Sequence, residues 1–150
     1  MKIGIIGTGN VGCACAMAAV TRGSAREIVL VNRTRKTAAA VATDMRYGTP
    51  LGPKVDIVDG DYDDLKGAGI VLITVGVNEK TGGATDRNDP LGRLKLLDKN
   101  AEIYRDVVPR IVRAAPNASG HRFLNALSLA PADMAKLAHG NADALLRLRR

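Results

Sequence analysis

Lys2-Ile3-Gly4-Ile5-Ile6-Gly7-Thr8-Gly9-Asn10-Val11-Gly12 opens the chain and decides its fold. An apolar run leads straight into Gly7-x-Gly9-x-x-Gly12, and a small-residue stretch of helical pattern follows, Cys13 to Val20. Strand, glycine turn and helix in that order are the context of a dinucleotide-binding fingerprint. Gly7 lets the chain turn sharply. Gly9, lacking a side chain, lets backbone approach a pyrophosphate, and Gly12 lets the helix sit close to the strand. The free N–H groups at the helix start, with Asn10 and Val11 among them, then face the phosphates with the helix dipole behind them.

Outward from this stretch, strands and helices alternate. The pattern predicts strands at Lys2–Ile6, Glu27–Val31, Val55–Val58 and Ile70–Val75, the second and fourth being apolar runs of the fully buried kind. It predicts helices from Val11 to Arg22, ended by Gly23, and from Thr34 to Met45, broken by Gly48-Thr49-Pro50-Leu51-Gly52-Pro53. Asp61–Leu65 reads as a turn or short helix. Gly76–Gly92 reads as a long polar loop, and loops of that length are usually functional or disordered. Arg93–Ala115 reads as the longest helix. Leu94, Leu97, Ala101, Tyr104, Val108, Ile111 and Val112 mark its buried face, and Pro116 ends it. This order implies an α/β fold of three layers, a doubly wound parallel sheet with right-handed crossovers. Ligands of such sheets bind beyond the carboxyl ends of the strands, where Gly7–Gly12, Asn32–Arg35 and Val75–Gly92 all lie.

Composition narrows the alternatives. The 150 residues are 46% hydrophobic, 25% charged and only 3% aromatic, with one Phe and no Trp. A core of Ala, Val, Ile and Leu suits a parallel sheet under helices and argues against base-stacking platforms. The net charge of +7 contains no basic run interleaved with aromatics, so nucleic acid is not an expected partner. No apolar run reaches the roughly 20 residues that span a bilayer, and the first residues lack a cleavable signal pattern, so the expectation is a cytoplasmic protein without a membrane partner. Cys13 and Cys15 have neither redox nor zinc spacing and read as structural; no metal is expected.

The end of strand two bears on which dinucleotide is bound. NAD sites normally place a carboxylate there to accept from the ribose hydroxyls. This chain has Asn32-Arg33-Thr34-Arg35. Asn32 does not repel a 2′-phosphate, and Arg33 or Arg35 offers it a bidentate fork, while Thr34 adds a hydroxyl or caps helix two. The expectation is therefore NADP or NAD, with NADP favoured. The alternative leaves both arginines as solvated surface.

Five blocks in register then carry a resemblance. They are Gly7-x-Gly9-Asn10-Val11-Gly12, Asp61-Tyr62-Asp63-Asp64-Leu65-Lys66-Gly67-Ala68, Thr74-Val75-Gly76-Val77-Asn78, Arg93 to Tyr104, and Val108-Pro109-x-Ile111-Val112 through Ala118. Over residues 1–118 the chain resembles the cofactor half of the lactate/malate dehydrogenase family. The resemblance implies hydride transfer between a nicotinamide cofactor and a 2-hydroxy or 2-oxo acid. It makes the long loop a substrate lid and Arg93 the catalytic arginine that polarises the substrate carbonyl. A guanidinium closing over the site puts positive charge where negative charge develops. It also makes Asn100 a cofactor contact and sets Val75 and Gly76 along the adenosine side.

The chain departs from the family pattern at Asn32, at Glu79, where a malate-type enzyme carries a second arginine, and after Ala118. Arg87 or Lys80 is the candidate substitute for that arginine. Asn125 is the stand-in for the family's substrate-binding asparagine. Residues 119–150 read as an atypical C-terminal tail, helical within 131–148, and the family's catalytic His–Asp pair has no counterpart here. His121 and His139 lack an evident orienting carboxylate. The resulting expectation is a lactate/malate dehydrogenase-like oxidoreductase, truncated and inactive alone, acting with a 2-hydroxy/2-oxo acid when active, and a homo-oligomer. The alternative is a non-catalytic NAD(P)-binding module or truncated relic.

Overall fold

The computed structural model describes residues 1–49, 52–82, 85 and 95–118. Four strands, β1 (Lys2–Ile6), β2 (Glu27–Val31), β3 (Asp56–Gly60) and β4 (Ile70–Ile73), form one parallel sheet in the order β3-β2-β1-β4. Helices α1 (Asn10–Thr21) and α2 (Arg35–Gly48) make the first two crossovers. A 3₁₀ turn over Tyr62–Leu65 links β3 to β4, and α3 (Glu79–Gly82) and α4 (Lys95–Ala114) follow.

Period-two alternation sends the side chains of each strand to two different helical layers. Ile3 and Ile5 of β1, Ile28 and Leu30 of β2 and Ile57 of β3 pack with Ala16 and Val20 of α1 and Ala38, Ala42 and Met45 of α2. Ile6, Val29 and Val31 point the other way and pack with Leu65, Val107 and Ile111. Both faces of the sheet are thus covered, which is why its central strands read as unbroken apolar runs. The order reverses direction between β1 and β4, so the crevice between their carboxyl ends is the topological switch point.

The structure departs from the sequence reading in several places. Strand four ends at Ile73 rather than Val75 and is half-buried rather than fully buried, because among the described residues it pairs on one side only, with β1. α2 continues to Gly48, beyond Met45. The loop after β4 contains the single helical turn α3, closed by the Gly82 N–H donating to the Asn78 carbonyl at 2.8 Å. The buried face of α4 is also shifted. Leu96, Val107, Ile111 and the following Ala115 face the core, whereas Leu97 and Val112 are 44% and 60% exposed. α4 carries two apolar stripes; Val107 and Ile111 of one pack under the sheet, while Leu96 of the same stripe lies against Gly82 of α3. The tail with its expected helices, His121, Asn125 and His139 lies outside the described residues, as do Arg87 and Arg93.

Candidate dinucleotide site

The glycine turn is tied to both neighbours of β1. The Gly7 N–H donates to the Val31 carbonyl at 2.8 Å, extending the β2 ladder by one bond. On the other side the Thr74 N–H donates to the Ile6 carbonyl at 2.8 Å. The Thr74 hydroxyl lies 2.9 Å from the Gly7 carbonyl oxygen and 3.1 Å from that of Ile6, donating into this pair. Gly7 has φ +101°, a conformation that L side chains rarely adopt, so only glycine turns here without strain. α1 then starts with Gly9 as its N-cap residue and the Cys13 N–H donating to the Gly9 carbonyl at 2.9 Å.

The three glycines differ in what surrounds them. A Cβ on Gly12 would collide with the Gly7 carbonyl oxygen and stand 2.8 Å from Thr74 Oγ1. That position is small because helix and turn touch there. A Cβ on Gly9 would meet nothing within 4 Å. Gly9 therefore borders open space at the head of α1, beside the helix's unpartnered first N–H groups. Asn10 and Val11 flank that space and are exposed. No helix-capping side chain occupies it; Gly9 has none to offer.

At the end of β2, Asn32 is half-buried and its amide Nδ2 donates to the Thr8 hydroxyl at 2.8 Å. Thr8 is itself buried, the polar residue at the centre of the turn. Asn32 thus braces the glycine turn with its nitrogen and keeps its carbonyl oxygen as an acceptor. Thr34 is the N-cap residue of α2, but its side chain makes no capping bond; the Thr37 N–H is satisfied by the Thr34 backbone carbonyl at 3.0 Å. Arg33 is exposed and makes no ion pair among the described residues. Arg35 is engaged. Its Nε donates to Asp59 Oδ2 at 3.0 Å and its Nη1 to Asp61 Oδ2 at 2.9 Å. The hydrogen bond to Asp59 and the charge of Asp61 hold the guanidinium above its ordinary pKa.

At the end of β4, Asn100 of α4 reaches across to the loop. Its Oδ1 accepts from the Val77 N–H at 2.7 Å and would lie 3.1 Å from a Cβ on Gly76. Val75 packs beside Gly7, where its Cγ1 would be 2.9 Å from an added Cβ. The turn, Asn32, Val75, Gly76 and Asn100 therefore meet at one sheet edge. Replacing Asn100 with alanine strands a partly buried N–H, and we expect a stability loss of about 1–2 kcal/mol by urea denaturation, with Asn100→Asp recovering most of it because a carboxylate still accepts. An Asn100→Ala protein as stable as the parent would show that Val77 finds another partner.

Thr8 and Thr74 are the residues of this edge to which sequence reasoning gave no role. Their signal is weak, a hydroxyl residue inside a glycine motif and one at a strand end. A separate groove, lined by Lys66, Gly67, Gly69, Arg113 and Asn117, lies at the opposite edge, where the Gly69 N–H bonds the Lys2 carbonyl at the start of β1. It is remote from the glycine turn. Among the described residues no helix is long and apolar enough to cross a membrane.

Comparison with known proteins agrees with this geometry. A family model described as the lactate/malate dehydrogenase NAD binding domain matches residues 1–142. The L-lactate dehydrogenase of Thermus aquaticus is 46% identical over 118 residues, covering 79% of this chain and 36% of that protein. That of Chloroherpeton thalassium is 43% identical over the same coverage. Among solved structures, a lactate dehydrogenase from a Medee basin deep-sea metagenome library superposes with a TM-score of 0.64 at 37% identity, over 79% of this chain and 35% of the other. The minor L-lactate dehydrogenase of Enterococcus mundtii, in a ligand-bound form, gives 0.65 at 30% identity with the same coverage. The chain spans about 36% of the length of the curated relatives it matches. Sheet order, glycine turn and matched residues lead to one assignment: the chain belongs to the lactate/malate dehydrogenase family and carries that family's NAD-binding domain.

Proposed function

We propose that residues 1–118 bind a nicotinamide adenine dinucleotide, with its pyrophosphate over Gly9 and the first turn of α1. The observation that carries this reading is the open space at Gly9, which any side chain would fill, at the head of a helix whose free N–H groups attract an anion. The residues present fit the group: Gly7 and Thr74 hold the turn, and Asn32 offers an acceptor near the adenosine ribose. Val75 and Gly76 line the adenosine side, and Asn100 fixes the loop that follows them. The bound cofactor supplies or accepts the hydride.

NADP, which Asn32-Arg33-Thr34-Arg35 favours on sequence alone, draws less support once Arg35 is seen in its pairs with Asp59 and Asp61. Of the two arginines, Arg33 is then the one left for a 2′-phosphate, so we expect NADH to bind at least as tightly as NADPH. For the whole protein we propose oxidoreduction of a 2-hydroxy or 2-oxo acid, as the names of its relatives indicate, with Arg93 as the carbonyl-polarising residue. Titration of the 150-residue chain with each reduced nucleotide, followed by nucleotide fluorescence, tests the binding reading. Micromolar NADH affinity is the expected result; failure of both nucleotides to bind at millimolar concentration would overturn it.

A further inference from the structure

Three aspartates crowd the start of α2. Asp59 lies on β3, opposite Leu30 of β2, and is one-quarter exposed. Asp61 is the N-cap residue of the 3₁₀ turn; the Asp64 N–H donates to its backbone carbonyl at 3.1 Å, while Asp64 Oδ2 accepts from the Asp61 N–H at 2.8 Å. These two bonds fix the Asp61 backbone at the head of the turn, and its exposed carboxylate is left to meet Arg35. Arg35, the first residue of α2, lies three positions beyond Asn32, and its guanidinium points at these acids through two charge-assisted bonds of 3.0 and 2.9 Å.

Resting on the dinucleotide reading above, we propose that Asp59 and Asp61 bias cofactor choice by holding Arg35 in their own ion pairs, so that one of the two arginines beside Asn32 is withheld from a 2′-phosphate. A 2′-phosphate that recruits Arg35 must break two existing bonds to gain its own. Each of these exposed pairs is individually weak, but both must open before the guanidinium can turn. NAD, with a free 2′-hydroxyl, has no need of that cation. The acids thus act in the same direction as the carboxylate missing at position 32: they withhold the phosphate's partner without touching the ribose.

The test compares NADPH and NADH affinities of the full 150-residue chain by fluorescence titration. Asp59→Asn with Asp61→Asn keeps the shape of both side chains and removes both charges. We expect the NADPH-to-NADH affinity ratio to rise about ten-fold, the scale of one gained charge-assisted pair. Adding Arg35→Ala to that protein should abolish the gain. In the parent, Arg35→Ala alone should leave the ratio within about two-fold, since Arg35 is already withheld; this arm needs no change to the aspartates and serves if the double variant folds poorly. An unchanged ratio after removal of the aspartates, a gain that survives loss of Arg35, or a parent that loses NADPH selectively on Arg35→Ala would each overturn the proposal. NADH binding by the parent in the same experiment separates these outcomes from failure of the dinucleotide reading itself.

Discussion

Gly12→Val is expected to cost the domain about 3–5 kcal/mol, a large share of the roughly 5–15 kcal/mol that holds an ordinary domain together. The first atom of any side chain at position 12 meets the carbonyl oxygen of Gly7 and the hydroxyl of Thr74. The carbonyl is backbone, fixed by the Gly7 bond to Val31 and by the Thr74 bond to Ile6. It cannot rotate away as a side-chain tip would. Relief requires α1 to move off β1, opening the layer where Ala16 and Val20 pack on the sheet. Urea denaturation measures the loss. With a slope of about 2 kcal/mol per molar urea, the midpoint should fall by roughly 1.5–2.5 M. A midpoint within about 0.3 M of the parent would show that helix and turn are not in contact as described.

Gly9→Ala should give the opposite phenotype from the same motif. Its backbone is ordinary, φ −80° and ψ −173°, and an added Cβ meets no atom within 4 Å. Stability should stay within about 1 kcal/mol, a small N-cap cost set against reduced freedom of the unfolded chain. Nucleotide affinity should fall about 100-fold, because the methyl group enters the space over which the pyrophosphate is proposed to lie. The pair of variants separates architecture from binding. Gly12→Val fails by unfolding and Gly9→Ala fails by excluding ligand. A Gly9→Ala protein that binds NADH as tightly as the parent would remove the pyrophosphate from this turn.

The contrast between these glycines also shows what a sequence can convey. β1 and β2 were legible to the residue, because the interior of a strand buried on both faces is apolar and their ends are marked by a charge, a glycine or, after Val31, an asparagine. The glycine turn was legible because its spacing encodes a backbone shape. The packing face of α4 was not. The expected face held Ile111, which is buried, but also Leu97 and Val112, which are exposed; Leu96, Ile103, Val107 and Ile111 make an equally regular stripe, and periodicity alone cannot say which one the fold covers. α3 was hidden by its length, a single turn among glycines and charges. The fate of Arg35 was hidden by distance: Asp59 and Asp61 lie 24 and 26 residues further along the chain. Only the placement of β3 beside β2 brings them to the head of α2. A reading of Asn32-Arg33-Thr34-Arg35 taken by itself sees two available cations; the folded chain has committed one of them.

The bond between Thr74 and Gly7 has a consequence for how the protein comes into being. It joins residues 67 positions apart. Everything the turn needs on its β2 side is available once Val31 has emerged from the ribosome, whereas its other wall arrives only with β4. Closing a loop of that length has an entropic cost that must be met before the contact stabilises anything. The fingerprint is therefore synthesised well before it can be completed, and a nascent chain that stops short of residue 74 has the motif without its cradle.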